Sequence, residues 1–552
     1  MTIQSNNPVP SLKDRFHGKL VLRRQVICRV IGLLFFVGLC ASAVSAQSYS
    51  DLHEFGECGC PSFISLMAQG RDGNLYGVTP SGGLNNVGVI FKIGPFGGYT
   101  VLHDFDTAHG STPIGGLTLG LDGNLYGTTE EGGANGFGNI FRITPAGAFT
   151  VLHDFTGASD GGLPVAPLTL ASDGNFYGTS YPDVAYQLTP NGTVNVIATI
   201  PTTTYGALLQ AKDGSFYGVT EFGGTYSAGT IYQIAGHNTT ILYNFDGPHG
   251  SFPVGGLVEG ADGYFYGTTT AGGDSNAGVI YKINPAGSLT VMVNWDSVQN
   301  LPGYQAYAGL VAGADGNLYG ATIWGGLYGA GTILQLTIDD AYSVLYNFDT
   351  PTGSGAYATP MQHTRGQLFG MTKRGGAQGN GVVYSLDDGL QPFISPLFNL
   401  GPVGATVGIL GQGFSQATDV EFNGTAASFH VISDTYMTAM VPSGETGFIT
   451  VGLASGYLTS NRIFRVIPQI TGFTPPAGAV GATVVIHGMG LIQTITITFG
   501  GVPVQEYTVN SDSQLTTKVP PGAQTGQIVV KTPGGTTTSS QVFTVASPTA
   551  KP

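Results

Sequence analysis

The sequence predicts an all-β chain: a seven-bladed β-propeller followed by two immunoglobulin-like β-sandwich domains. Three observations predict it. One motif recurs seven times between residues 47 and 390. Glycine supplies 88 of 552 residues while charged residues make up only 9%, against roughly 25% in ordinary soluble domains. That is the profile of short strands joined by tight turns, with few solvated helix faces. After the last copy, two further segments share a second pattern of short strands and turns.

Residues 1–46 read as a signal peptide. Lys13, Arg15, Lys19, Arg23, Arg24 and Arg29 form a basic region, an apolar run covers 30–44, and Val44-Ser45-Ala46 offers small residues for cleavage near Ala46. Secretion or display at the cell surface is therefore expected, with no transmembrane span in the mature chain. Residues 47–552 would carry 13 Lys and Arg against 32 Asp and Glu. So acidic a surface disfavours nucleic acid and anionic lipid. Cys58 and Cys60 are the cysteines left after cleavage. Two residues apart, they fit a pair of thiols or a labile bridge in a loop, and no zinc-like spacing accompanies them.

The repeat is clearest over 116–155, GLTLGLDGNLYGTTEEGGANGFGNIFRITPAGAFTVLHDF, which recurs from Gly256 as GLVEGADGYFYGTTTAGGDSNAGVIYKINPAGSLTVMVNW. Its anchor dipeptide falls at Tyr76, Tyr126, Tyr177, Tyr217, Tyr266, Tyr319 and Phe369, each followed by Gly, at spacings of 50, 51, 40, 49, 53 and 50. The third copy is thus the short one. Each copy holds four strand-like pieces, in the second copy 116–121, 124–129, 138–144 and 149–155. Asp122-Gly123 and Pro145-Ala146-Gly147 supply turns, because these residues tolerate the backbone that tight hairpins need. Four short strands per copy is the signature of a propeller blade. At the start, Asp51-Leu52-His53-Glu54-Phe55 matches a fourth strand without its first three; the seventh copy lacks a fourth strand after 382–386. The orphan fits the gap, so the ring is expected to close by interlocking.

With D-G-N-L-Y-G-T-T, then G-G, then G-x-I-F-K-I, then L-H-D-F, these copies resemble the GloVer tandem repeat of secreted and surface proteins in environmental bacteria. The resemblance covers about residues 50–388. It implies architecture and location rather than a reaction.

Residues 391–467 and 468–546 form the paired C-terminal segments, with a tail at 547–552. The first carries Ile394-Ser395-Pro396, Gly411-Gln412-Gly413-Phe414 and Val420-Glu421-Phe422-Asn423-Gly424; the second carries Ile470-Thr471-Gly472-Phe473-Thr474-Pro475, Gly488-Met489-Gly490-Leu491 and Ile497-Thr498-Phe499-Gly500-Gly501. Short alternating strands between such turns indicate a sandwich. Both segments resemble TIG (IPT) domains, an immunoglobulin-like fold. The resemblance implies spacers or adhesive modules, and the basic loops of DNA-binding members are missing.

No catalytic constellation stands out. The repeated Asp72, Asp122, Asp173, Asp213, Asp262 and Asp315 each precede Gly and read as turn formers, since calcium loops cluster several oxygen ligands. The anchor tyrosines read as interblade packing, and Phe369 in the seventh copy suggests that the hydroxyl is dispensable. His53, His103 and His153 align with Tyr243, Val293 and Tyr346, so they read as outer-strand packing rather than metal ligands. No metal site and no cofactor are expected. An oxidase of the galactose oxidase kind pairs the same two folds, but the cysteine and histidines its copper chemistry needs have no counterpart.

The expected function is a secreted or cell-surface, non-enzymatic binding or scaffold protein. A polysaccharide or a surface protein is the expected partner, and the oligomeric state is open. Two other readings stand beside it: a carbohydrate-active lyase or glycosidase working with carboxylates such as Glu130, Glu131, Glu221 and Asp274, and a purely structural surface spacer. Variable loops on a rigid scaffold usually carry recognition. The variable loops here follow the second strand of each copy and lead into the next. Ligand contacts are therefore expected from Phe222, Tyr304, Trp324 and Tyr328, with Glu130, Glu131 and Asp274 nearby.

Overall fold

A computed structural model of the chain describes residues 47–56, 65–202, 204–296 and 303–546. The leader, Cys58, Cys60 and the tail at 547–552 lie outside the described residues. Among the described residues every regular element is a strand except one 3-10 turn at Phe414–Gln416. No helix among them is long and apolar enough to cross a membrane.

Among the described residues, seven four-stranded sheets occupy the repeat region. The second copy shows how each is built: Leu117–Leu119, Leu125–Thr129, Asn139–Ile143 and Phe149–Asp154 pair in that order. The two middle strands are buried on both sides, Leu125–Thr129 at every position, because neighbouring sheets cover both faces. The outer strand is partly exposed.

Packing between consecutive sheets is apolar throughout. Tyr76, Val78, Ile90 and Phe105 pack on Leu117, Leu125, Phe141 and Ile143 of the next copy. The series closes on itself: Phe55, Leu75, Phe91 and Ile93 pack on Phe369, Met371 and Val383 of the last copy. The closing strand, Ser48–Glu54, lies beside Val382–Asp387, and the Phe55 amide donates to the Gly381 carbonyl at 3.0 Å. On its other side Tyr49 of this strand stacks on Tyr346 of the sixth sheet at 4.2 Å. This is a β-propeller whose first strand completes its last sheet.

At the axis the innermost strands meet almost without side chains. The Leu117 amide donates to the Leu66 carbonyl at 3.1 Å, and the Gly309 amide donates to Thr359 Oγ1 at 2.8 Å. A Cβ at Gly255 would lie 2.4 Å from the Gly309 nitrogen. That approach explains why Gly115, Ala166, Gly206, Gly255, Ala308 and Ala358 occupy the equivalent place in six copies.

Two immunoglobulin-like sandwiches follow. The first packs the sheet containing Thr406–Leu410 and Tyr436–Met440 on the sheet containing Ala417–Phe422 and Ile449–Leu453. Its core holds Ile409, Phe414, Phe422, Met437 and Phe464. The second repeats this with Ile486, Leu491, Phe499, Leu515 and Phe543.

Candidate functional site

The propeller has two unlike faces, and the turn chemistry decides which is free. On the short-turn face each Asp-Gly turn is knotted by its own carboxylate. Asp72 Oδ1 accepts the Asn74 amide at 3.2 Å, and Oδ2 accepts Asn74 Nδ2 and the Tyr76 hydroxyl, both at 2.7 Å. Asp122, Asp173 and Asp315 repeat all three bonds, and Asp213 and Asp262 keep the bond to the tyrosine. The anchor tyrosine is therefore more than a packing residue. The seventh copy replaces both partners together, with Arg365 and Phe369.

That exception is where the first sandwich docks. Thr364 Oγ1 accepts from Gln69 Nε2 and Gln412 Nε2, both at 2.9 Å, and donates to the Gly411 carbonyl at 3.4 Å. Thr435 donates to the Arg71 carbonyl at 2.6 Å, and the Arg71 guanidinium lies 4.3 Å from the Tyr436 ring centre. Arg465 reaches the Lys212 carbonyl at 3.2 Å. The short-turn face thus carries the immunoglobulin-like module.

The opposite face carries the variable loops on a fixed frame. In five of the lead-in loops one residue adopts a left-handed backbone: Thr112, Leu163, Phe252 and Gln305, with φ between 48° and 57°, and Gly355 at 65°. Four of these loops then pair with the residue five past the anchor position: Ser111 with Glu131, Ser251 with Ala271, Tyr304 with Trp324 and Ser354 with Arg374. The loop tips are pinned as well. Asp104, Asp154, Asn244, Asn294 and Asn347 accept the tip amides of Leu84, Ala134, Thr225, Asp274 and Leu327 at 2.8–3.2 Å.

The expected contact residues fall at three radii on this face. Tyr328 sits on a loop tip, 66% exposed, and Asp274 is an exposed tip residue of the preceding copy. Phe222, Trp324 and Glu131 occupy equivalent places further in. Phe222 is 54% exposed, with its ring 5.6 Å from Phe252. Tyr304 and Trp324 are half-buried neighbours across their backbone pairing, with the Tyr304 amide donating to the Trp324 carbonyl at 2.9 Å. Glu130 lies innermost and is half-buried. Burial, then the charge of Glu131, raises its carboxyl above the usual range.

Glu130 has company that the sequence reading left aside. Tyr205, Tyr307 and Tyr357 each immediately precede a small residue of the axial ring. Burial, followed by the charges of Glu221 and Glu130, raises the Tyr205 phenol. Tyr307 and Tyr357 have ring centres 5.4 Å apart, and Lys373 Nζ lies 5.2 Å from the Tyr357 ring. Glu221 is raised by burial alone. The available signal was positional, since Ile114, Val165 and Val254 hold the same place in other copies.

The histidines pack as outer-strand residues. His53 stacks on Tyr99 at 3.7 Å and His103 on Phe149 at 3.9 Å, while His153 bonds Asp160 at 3.1 Å. Among the described residues no group of three or more His, Cys, Asp or Glu is placed to hold a metal ion.

Fold and faces together define a repeat-built β-propeller that carries two immunoglobulin-like modules. The chain belongs to the Gloeobacter/Verrucomicrobia repeat family, whose model matches residues 39–195 and 201–426, and the IPT/TIG domain model matches 392–461 and 468–545. No curated protein matches it. Among solved structures, it is similar to a surface glycan-binding protein from Prevotella bryantii, at 19% identity over 27% of this chain with a TM-score of 0.22; the match spans 41% of that protein's length. It is similar to the extracellular domain of a putative hybrid two component system from B. thetaiotaomicron, at 13% identity over 90% of this chain and 67% of that one, TM-score 0.42. A third is a fungal alcohol oxidase of the AA5 family in complex with copper, at 12% identity over 77% of this chain and 99% of that one, TM-score 0.43.

Proposed function

We propose that this chain is a secreted or cell-surface, non-enzymatic binding protein that holds a polysaccharide on the loop face of its propeller. The observation that carries the reading is the asymmetry of the two faces. One face supports the immunoglobulin-like module. The other presents Phe222, Tyr226 and Tyr328, each more than half exposed, on loops whose backbones are already bonded in place. Rigid aromatic rings offer a large apolar surface at little entropic cost. They suit the C–H faces of sugars, whose hydroxyls can meet polar neighbours such as Glu131 and Asp274. The acidic surface argues against nucleic acid as the partner. The basic and apolar leader supports export.

A second reading is favoured by one observation. Glu130 and Glu221 are both raised by burial, which is what a general acid in glycoside cleavage requires. One experiment separates the readings. The full chain is incubated with xylan, mannan, laminarin and starch, and both retained protein and soluble products are measured. Retention without products supports the binding protein. Shortened products support the enzyme. Retention on none, alongside capture of a surface protein or of nothing, rejects the polysaccharide.

A further inference from the structure

We propose that the mouth of the propeller axis on the loop face is a discrete subsite for one neutral sugar ring, lined by Tyr205, Tyr307 and Tyr357 with Glu130, Glu221 and Lys373. The inference rests on the polysaccharide reading and adds where, and by what chemistry, a single ring is gripped.

Position is the first argument. Gly206, Ala308 and Ala358 belong to the axial ring in which inner strands approach at backbone distance. Tyr205, Tyr307 and Tyr357 come one residue earlier in the chain, on the loop side, so they stand around the opening. The polar residues reach the same opening from the ends of second strands. The Lys373 amide donates to the Gly355 carbonyl at 3.0 Å, and Glu130 makes the equivalent bond to Thr112 at 3.1 Å. That pairing fixes Glu130 and Lys373 beside lead-in loops, three residues short of the axial position.

Partial burial is the second argument. All six side chains are half-buried. Neither the Glu130 nor the Glu221 carboxyl accepts a hydrogen bond from any described residue, and the Tyr205 hydroxyl makes none either. Partial burial disfavours the charged form of each carboxyl. Both carboxyls are raised above the usual range, Glu130 by burial and then the charge of Glu131, Glu221 by burial. Hydroxyl donors arriving with a ligand would offset this effect of burial.

Charge pattern is the third argument. The acids come from the second and fourth copies and stand near Tyr205. The cations Lys373 and Arg374 belong to the seventh copy and act on Tyr357. Tyr307 lies between, touched by Tyr357 and by the field of Glu221. An anionic ring would meet the carboxylates, and a cationic one would meet Lys373 and Arg374. A neutral ring can donate to one side, accept from the other and lay its apolar face on a tyrosine.

The test uses the full chain and isothermal titration with xylohexaose, mannohexaose, laminarihexaose and maltohexaose. Trigalacturonate and chitosan hexamer serve as anionic and cationic probes. At least one neutral hexamer is expected to bind, more tightly than either charged probe. Tyr307→Ala and the double variant Glu130→Gln with Glu221→Gln should each weaken it tenfold or more at an unchanged melting temperature. Tyr205→Phe, which keeps the ring and loses only the hydroxyl, serves as the mild variant for the case in which Tyr307→Ala fails to fold, and should weaken binding severalfold. Neutral hexamers that bind every variant within twofold would overturn the subsite and leave the polysaccharide reading standing. Tightest binding of a charged probe would overturn the neutral ring. If neither the hexamers nor the parent polysaccharides bind the unaltered chain, the subsite falls together with the reading beneath it.

Discussion

Each short turn closes through one carboxylate, and the partners of that carboxylate explain a substitution that looked permissive. Phe369 suggested a dispensable hydroxyl, yet Asp and Tyr are bonded in six copies and replaced together in the seventh. Reading one column of a repeat at a time hides a pair. Tyr319→Phe should therefore lower stability by about 2 kcal/mol, the worth of one hydrogen bond to a charged acceptor, seen as a lower melting temperature. The glycine after each anchor is stricter. A Cβ at Gly267 would lie 2.3 Å from the Tyr281 hydroxyl oxygen, so Gly267→Ala should cost about 2 kcal/mol by forcing a buried ring aside. His363 adds a pH dependence. Burial, aided by the nearby Arg365 charge, lowers its pKa from 6.5 to about 4, opposed by its Nε2–H bond to the Gly73 carbonyl. Nδ1 accepts the Arg365 amide at 3.2 Å, so the neutral ring has both nitrogens satisfied. A depressed histidine stabilises the folded chain fully above its unfolded pKa. This contribution, about 3 kcal/mol, falls as pH drops below 6.5 and is gone below 4. Melting curves from pH 7 to 4 should show a steeper loss for the native chain than for His363→Asn, which starts lower.

Strand-level organisation was the most legible part of the sequence, because the repeat displays its own period and its own missing pieces. The orphan strand is the clearest case. Ser48–Glu54 joins the sheet of the last copy, and Phe55 is buried between first and last sheets. Deleting residues 47–56 should lower the melting temperature of the propeller markedly, and Phe55→Ala alone should cost about 3–5 kcal/mol. An unchanged melt for the deletion would mean that the ring does not depend on its clasp. The sandwiches have separate cores, one around Phe422 and Met437, the other around Phe499 and Leu515. A fragment of residues 390–552 is accordingly expected to fold alone and give dispersed amide spectra. What the sequence did not display was how that fragment meets the propeller. Thr364 contacts Gly411 and Gln412, and Arg71 contacts Thr435 and Tyr436, across separations that no local pattern encodes. In hindsight the broken Asp-Gly-Asn pattern at 363–367 marked the place, since a turn that must bond another module cannot spend its side chains on itself.

Across the whole molecule, the first sandwich docks on the short-turn side of the propeller, opposite the loop face. Loop variability pointed to the loop face from sequence, through Phe222, Tyr304, Trp324 and Tyr328. The axial tyrosines stayed hidden, because three tyrosines among aliphatic equivalents look like core in the sequence, whereas in the fold Tyr307 and Tyr357 lie ring to ring. The account's central claim is that the loop face holds a polysaccharide. Its most direct test is the dissociation constant of the full chain for whichever of xylan, mannan, laminarin or starch it retains, compared with two sets of surface variants. Phe222→Ala and Trp324→Ala alter the loop face. Ile338→Ser alters an exposed turn on the opposite side, where Ile338 is 48% exposed. The account predicts that each loop-face variant weakens binding about tenfold, equivalent to about 1.4 kcal/mol, with the melting temperature unchanged, while Ile338→Ser binds like the native chain. Full affinity in both loop-face variants together with a loss in Ile338→Ser would contradict it.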